Sequence, residues 1–190
     1  MGREWRSVPD RVPARSSHWK MSVRARTIVY NADTVDPENL SGYAGLADEQ
    51  WKDRLCLRTS QKVYNQSLVA MFIAQYGEER TEDIVRGWVD NLAAKPFSSD
   101  TEVLKAVAAG QCDVTIVNTY YLGRLLTEQP ELPLKIFWPD QGEGEGGVHV
   151  NVSGAGVTRH APNPELGQQL IEDGSRITIP DASAPATGKS

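Results

Sequence analysis

Apolar residues recur along this chain in two rhythms, one of period two and one of helical spacing, and the switches between them outline the elements. The β-branched run Arg26-Thr27-Ile28-Val29-Tyr30, bounded by Asn31, predicts a strand. Asp36-Pro37 opens a turn, a short helical stretch spans Leu46 to Trp51, and Leu55-Cys56-Leu57 makes the next strand. From Asn65, the positions Leu68, Val69, Phe72, Ile73 and Tyr76 fall on one helical face that Gly77 terminates. Ile84, Val85, Trp88, Val89 and Leu92 line a second helix with Thr81 as its N-cap. Ser99 and Glu102 have the spacing of a capping box, in which each side chain serves a free backbone N–H, and Val103, Leu104 and Val107 give that third helix a buried face before Gly110. The run Val114 to Val117 predicts a buried strand, followed by a short helix from Tyr121 to Thr127. Leu134 to Trp138 is a further strand ended by Pro139, and Val148 to Val152 alternates apolar and polar residues as a half-buried strand does. Asn163-Pro164 starts a last helix, since Asn caps well and Pro at the first helical position gives up no needed hydrogen bond.

Strands alternating with helices predict an α/β layer architecture, a mostly parallel sheet flanked by helices. Residues 1–20 lack periodicity and read as an irregular lead-in, with order beginning near Val23. The small, polar, proline-bearing stretch 175–190 reads as a disordered tail, because it has too little apolar area to offset its ordering entropy. One α/β domain over 21–174 is therefore expected, which suits a chain of 190 residues.

A net charge of −5 with both signs interspersed argues against a nucleic-acid surface. No apolar stretch reaches the roughly 20 residues needed to span a bilayer. The first residues, with Arg3, Glu4, Arg6 and Asp10, show no signal core, so the chain as written is expected to remain in the cytoplasm. Cys56 and Cys112 lie on separate predicted strands and read as buried small hydrophobes, able to pair only if those strands are neighbours.

The candidate chemistry is phenolic. Tyr120 and Tyr121 follow the strand Val114 to Val117, and Tyr64 holds a similar place after Leu55 to Leu57. In α/β sheets, ligands gather beyond the carboxyl ends of strands, where helix N-termini present free N–H groups. Three phenolates there make a hard, anionic donor set that suits a trivalent cation, Fe3+, whose charge they neutralise. Arg124, one turn past the tandem pair, favours the phenolate form. Thr59 and Ser60, at a predicted helix start, offer a place for an anion such as carbonate. Hydrolytic chemistry has little support: Ser153-Gly154-Ala155-Gly156 lacks the G-x-S-x-G order, and no base is placed beside Ser153 or Cys56. The loop Gly142 to Gly147 lacks the strand-loop-helix context of a phosphate loop, and His149 and His160 read as core or surface residues.

From about Trp19 to Glu172 the sequence resembles the C-terminal lobe of the periplasmic ferric-iron-binding proteins of bacterial ABC transporters. The resemblance is carried by Arg24 to Asn31, Val63 to Val69, Asn118-Thr119-Tyr120-Tyr121 and Val150 to Val157. It implies a single lobe of a type II periplasmic binding protein, not an enzyme, with Tyr64, Tyr120 and Tyr121 as the metal ligands and Asn65 among the residues around them. It also implies interlobe crossovers at Ile28 to Tyr30 and Val148 to Val152, a periplasmic location and an ABC permease as partner. The family's first lobe has no counterpart in this sequence, so a separate first lobe or a second copy is expected to complete the cleft. The competing expectation is a truncated remnant that acts as a protein-interaction module without useful iron binding.

Overall fold

The computed structural model describes residues 18–175, with side chains from 23 to 173. Among these residues, five strands and five α-helices follow in the order β1 (His18–Asn31), β2 (Leu55–Cys56), α1 (Val63–Tyr76), α2 (Glu78–Asp90), α3 (Asp100–Ala108), β3 (Val114–Asn118), α4 (Thr119–Glu128), β4 (Leu134–Phe137), β5 (His149–Gly156) and α5 (Pro164–Ser175). The expected lead-in over 1–17 and the expected tail beyond 175 lie outside the described residues.

The α/β reading holds, but the sheet is mixed rather than mostly parallel. Its strand order is β2-β3-β1-β4, with β5 also paired to β1. β2 and β3 are parallel, whereas β1 runs antiparallel to both β3 and β4, with Ile28 opposite Ile116 on one side and Phe137 on the other. Sequence periodicity reports which face a residue takes and not the direction of its partner, so β1 was invisible as an inserted antiparallel strand.

Alternation then sorts side chains into two cores. Ile28 and Tyr30 of β1, Leu55 of β2 and Val114 and Ile116 of β3 join Leu68, Phe72, Ile84 and Trp88 of α1 and α2. The intervening Val29, Cys56 and Val117 join Val103, Leu104 and Val107 of α3 and Leu122 and Leu125 of α4. Phe72 sits edge-on between Tyr43 and Trp88, with ring centroids 5.6 and 5.5 Å away. Helix α2 lies so close to the segment Ala44–Ala47 that a Cβ on Gly87 would stand 2.6 Å from the Ala47 Cβ, so only glycine fits there.

Several local expectations shift. β1 begins at His18, inside the stretch read as lead-in, because a strand paired to β5 needs no local periodicity to be held. The helical stretch Leu46 to Trp51 resolves into two 3-10 turns, Ala44–Ala47 and Glu49–Trp51, separated by extended Asp48. Thr81 is not an N-cap. Gly77 holds that position, with φ of 81°, and the Thr81 hydroxyl donates back to the Gly77 carbonyl at 2.7 Å. The capping position of Ser99 holds, with its hydroxyl accepting from the Glu102 N–H at 3.2 Å.

Cys56 and Cys112 are not merely buried; they form a disulfide, with Cα atoms 5.9 Å apart and a sequence separation of 56. Cys56 leads out of β2 and Cys112 precedes its parallel neighbour β3, an adjacency the sequence does not display. Closing a loop of that length contributes about 4 kcal/mol in the chain-entropy description.

By contact density the described chain belongs to two compact units. One is residues 24–151, and the other takes residues up to 23 and from 152 onward. β1 and β5 are the strands that cross between them.

Candidate metal site

Two parallel neighbours, β2 and β3, end on the same side of the sheet, and each leads into a helix whose first turn carries tyrosine. Both helices start earlier than the apolar spacing suggests. α1 begins at Val63, which makes Tyr64 its second residue, and α4 begins at Thr119, which makes Tyr120 and Tyr121 its second and third. The phenols thus belong to helix N-termini rather than to strand ends. There the free N–H groups and the positive end of the helix dipole favour negative charge. Neither N-cap residue, Lys62 or Asn118, bonds its own helix with its side chain.

The three phenols converge. The rings of Tyr120 and Tyr121 lie 4.1 Å apart between centroids, tilted by 32°. Tyr120 is 37% exposed and lies close to the side chains of Tyr121, Tyr64 and Asn118. Burial raises its pKa well above the ordinary phenol value, the neighbouring phenols raise it further, and Asn118 opposes them. Tyr120 therefore resists ionisation until a cation offsets the cost, and a trivalent ion does so most fully.

Behind the phenols lies a buried ionic network that the sequence did not announce. Arg26 and Asp100 are both 0% exposed and meet at 3.4 Å. Arg26 Nη2 donates to Asn65 Oδ1 at 2.5 Å and to the Ile116 carbonyl at 2.9 Å, and Nη1 donates to Asn118 Oδ1 at 3.5 Å. Arg58 approaches the same Asp100 carboxylate at 3.6 Å, donates from Nε to the Ser98 carbonyl, and places its guanidinium 5.9 Å from the Tyr64 ring centroid. The only sequence signal for this network was the asparagine beside each tyrosine motif.

The remaining sequence-predicted residues divide. The Asn65 amide is consumed internally, donating to the Arg58 and Thr59 carbonyls at 2.7 and 3.2 Å, so it braces the loop before α1. Thr59 Oγ1 accepts from the Gln61 N–H in a local turn, and Ser60 lines a cavity of about 150 Å3 with Leu57, Leu68, Val85 and Trp88. Arg124 is exposed on α4. His160 lies exposed in a turn, whereas His149 is buried and faces Ser67. Among the described residues, no group of three or more His, Cys, Asp or Glu side chains is arranged to hold a metal ion. No helix among them is long and apolar enough to cross a membrane.

Residues 11–166 match the bacterial extracellular solute-binding protein family. The chain belongs to that family. Within it, the sequence is 44% identical to iron uptake protein A1 and 40% identical to iron uptake protein A2 of Synechocystis, over 87% and 86% of this chain. Those alignments cover 48% and 50% of the relatives, so the chain spans about half the length of the curated relatives it matches. Among solved structures it resembles apo FutA2 from Synechocystis, with a TM-score of 0.76 and 40% identity over 83% of this chain and 52% of that one. It also resembles the Trichodesmium protein IdiA, or FutA, in complex with iron and citrate, with a TM-score of 0.72 and 37% identity over 83% and 55%. These neighbours are type II periplasmic binding proteins, solute-binding proteins rather than enzymes, and they bear out the single-lobe reading.

Proposed function

We propose that this lobe binds ferric iron, with Tyr64, Tyr120 and Tyr121 as phenolate ligands, as part of a solute receptor that delivers iron to an ABC permease. The observation that carries this reading is the convergence of the three phenols at two adjoining helix N-termini. The iron-bound relative and the iron uptake proteins of similar sequence support it. Three phenolates leave about half of a usual six-coordinate shell open. Water, a carboxylate anion such as citrate, carbonate, a first lobe or a second copy of the chain completes it.

Location follows from covalent chemistry. The Cys56–Cys112 disulfide belongs to an oxidising compartment, which favours the periplasm over the cytoplasm. Uptake would then consist of capture by the phenols, closure over the ion by hinge motion at the crossover strands, and docking on the permease.

Adding ferric citrate to the protein should produce a visible phenolate-to-iron charge-transfer band that Tyr120→Phe abolishes. An unchanged parent spectrum would sink the reading. A second reading, an interaction module, draws on Leu166 and Leu170, one turn apart on α5 and 64% and 74% exposed. Dimers that form equally with and without iron in size-exclusion chromatography would favour it.

A further inference from the structure

We infer that Arg26 is the positioning residue of the tyrosine cluster: anchored on Asp100, its buried guanidinium holds the start of α1 through Asn65 and the N-cap of α4 through Asn118. It thereby sets where Tyr64 stands relative to Tyr120 and Tyr121. The inference rests on the proposed iron-binding role and adds to it a residue that touches no ligand.

Four observations carry it. The first is position: Arg26 lies on β1, the inserted antiparallel strand, directly opposite Asn118 in the β1–β3 register. One side chain therefore reaches the ends of both motifs, which are 39 and 92 residues away in sequence. The second is geometry. The fork donates to Asn65, to the Ile116 carbonyl two residues before the cap, to Asn118 and to Asp100, a set that the single ammonium of lysine cannot span.

The third is charge. A fully buried ion pair is weak support for stability, since an apolar replacement of similar volume usually serves as well or better. Here two guanidinia, Arg26 and Arg58, share one carboxylate, Asp100, so a net positive charge is held behind the phenols. Such an arrangement suits a site that must accumulate negative ligands.

The fourth is an unused donor. Arg26 donates to Asn118 Oδ1, which fixes the orientation of that amide and leaves Nδ2 as the group turned elsewhere. Nδ2 is buried and has no hydrogen-bond partner of ordinary geometry as the protein stands, and the Asn118 side chain neighbours Tyr120. A buried donor left open beside a phenol is poised for the oxygen to take up negative charge.

Arg26→Lys in the full chain tests this, because it keeps the charge and removes the fork. Ferric citrate titration should show binding about 10- to 100-fold weaker, as expected when a group orienting metal ligands is lost, with a displaced charge-transfer band. In the metal-free protein, amides of residues 65–68 and 122–125 should exchange faster while those of α2 keep their parental rates. Parental binding and exchange, or acceleration spread evenly over all helices, would reduce Arg26 to a packed ion pair and overturn the inference. If Arg26→Lys does not fold, Asn118→Ala decides, since it leaves the Arg26–Asp100 pair in place. Weakened binding with faster exchange confined to the start of α4 supports the inference, and parental behaviour defeats it. A parent protein without the band would defeat the iron reading alone, because the exchange comparison still judges the brace.

Discussion

Two polar clusters are built on the same residue, and they differ in what each leaves unpaired. On the carbonyl side of Arg26, the Tyr43 hydroxyl donates to the Arg26 oxygen and accepts from the His149 N–H at 3.1 Å. His149 Nε2 lies 3.1 Å from Ser67 Oγ and 3.2 Å from Asn151 Nδ2, and Ser67 Oγ donates to Asn151 Oδ1 at 2.9 Å. Neutral side chains there satisfy one another. On the guanidinium side, Arg26 Nε, Arg58 Nη1, Asp100 Oδ1 and Asn118 Nδ2 are buried without hydrogen-bond partners. A closed neutral network fixes packing, whereas an open charged one holds donors in reserve at a cost in stability. The difference marks which side of the start of α1 is built for a ligand.

Asp100→Ala tests the charged cluster most severely. It leaves two buried guanidinia without their shared counter-ion, and urea unfolding near neutral pH should show a loss of about 3–5 kcal/mol. A loss below about 1 kcal/mol would mean that solvent already relieves the charge, and the contrast between the clusters would collapse. Tyr43→Phe is the matching test on the neutral side. It strands one buried carbonyl and one buried N–H, for an expected loss of about 1–3 kcal/mol with ferric binding unchanged. A drop in iron affinity would show that the two clusters act as one.

How far the sequence disclosed this arrangement follows the range of the interactions involved. The helices α1, α2 and α3 were legible because apolar spacing and the Ser99–Glu102 pair are local signals. The tyrosines were legible as a candidate donor set because their chemistry is unusual and each follows a strand. Arg26 was not. In Arg24-Ala25-Arg26 it reads as an ordinary strand charge, and every hydrogen-bond partner of its guanidinium arrives from at least 39 residues away. The same holds for the disulfide, which depends on β2 and β3 being neighbours, and for the antiparallel insertion of β1. Ser67 and His149 are 82 residues apart, so the buried role of the histidine had only its alternation with Val148 and Val150 to suggest it.

The smallest effect sharpens the neutral side, because neutrality there is a titration statement. Burial, aided by the charge of Arg26, lowers the His149 pKa below its ordinary 6.5, and the neutral side chains of Ser67 and Asn151 face the ring nitrogen. As pH falls from about 6.5 toward the folded value, the unfolded chain takes up the proton first, so acidification through that window removes stability. Asp140 acts in the opposite sense. Burial and the charge of Glu145 raise its carboxyl from 3.8 to about 6, so the folded chain is the first to bind that proton, and acidification between those values adds stability. Urea midpoints followed from neutral pH to about pH 4 should therefore separate the two groups. Relative to the parent, His149→Gln should gain stability on acidification and Asp140→Asn should lose it. A His149→Gln curve parallel to that of the parent would mean that the ring titrates as it does in the unfolded chain, and burial would no longer hold the cluster beside Tyr43 as the neutral counterpart of the one beside Asp100.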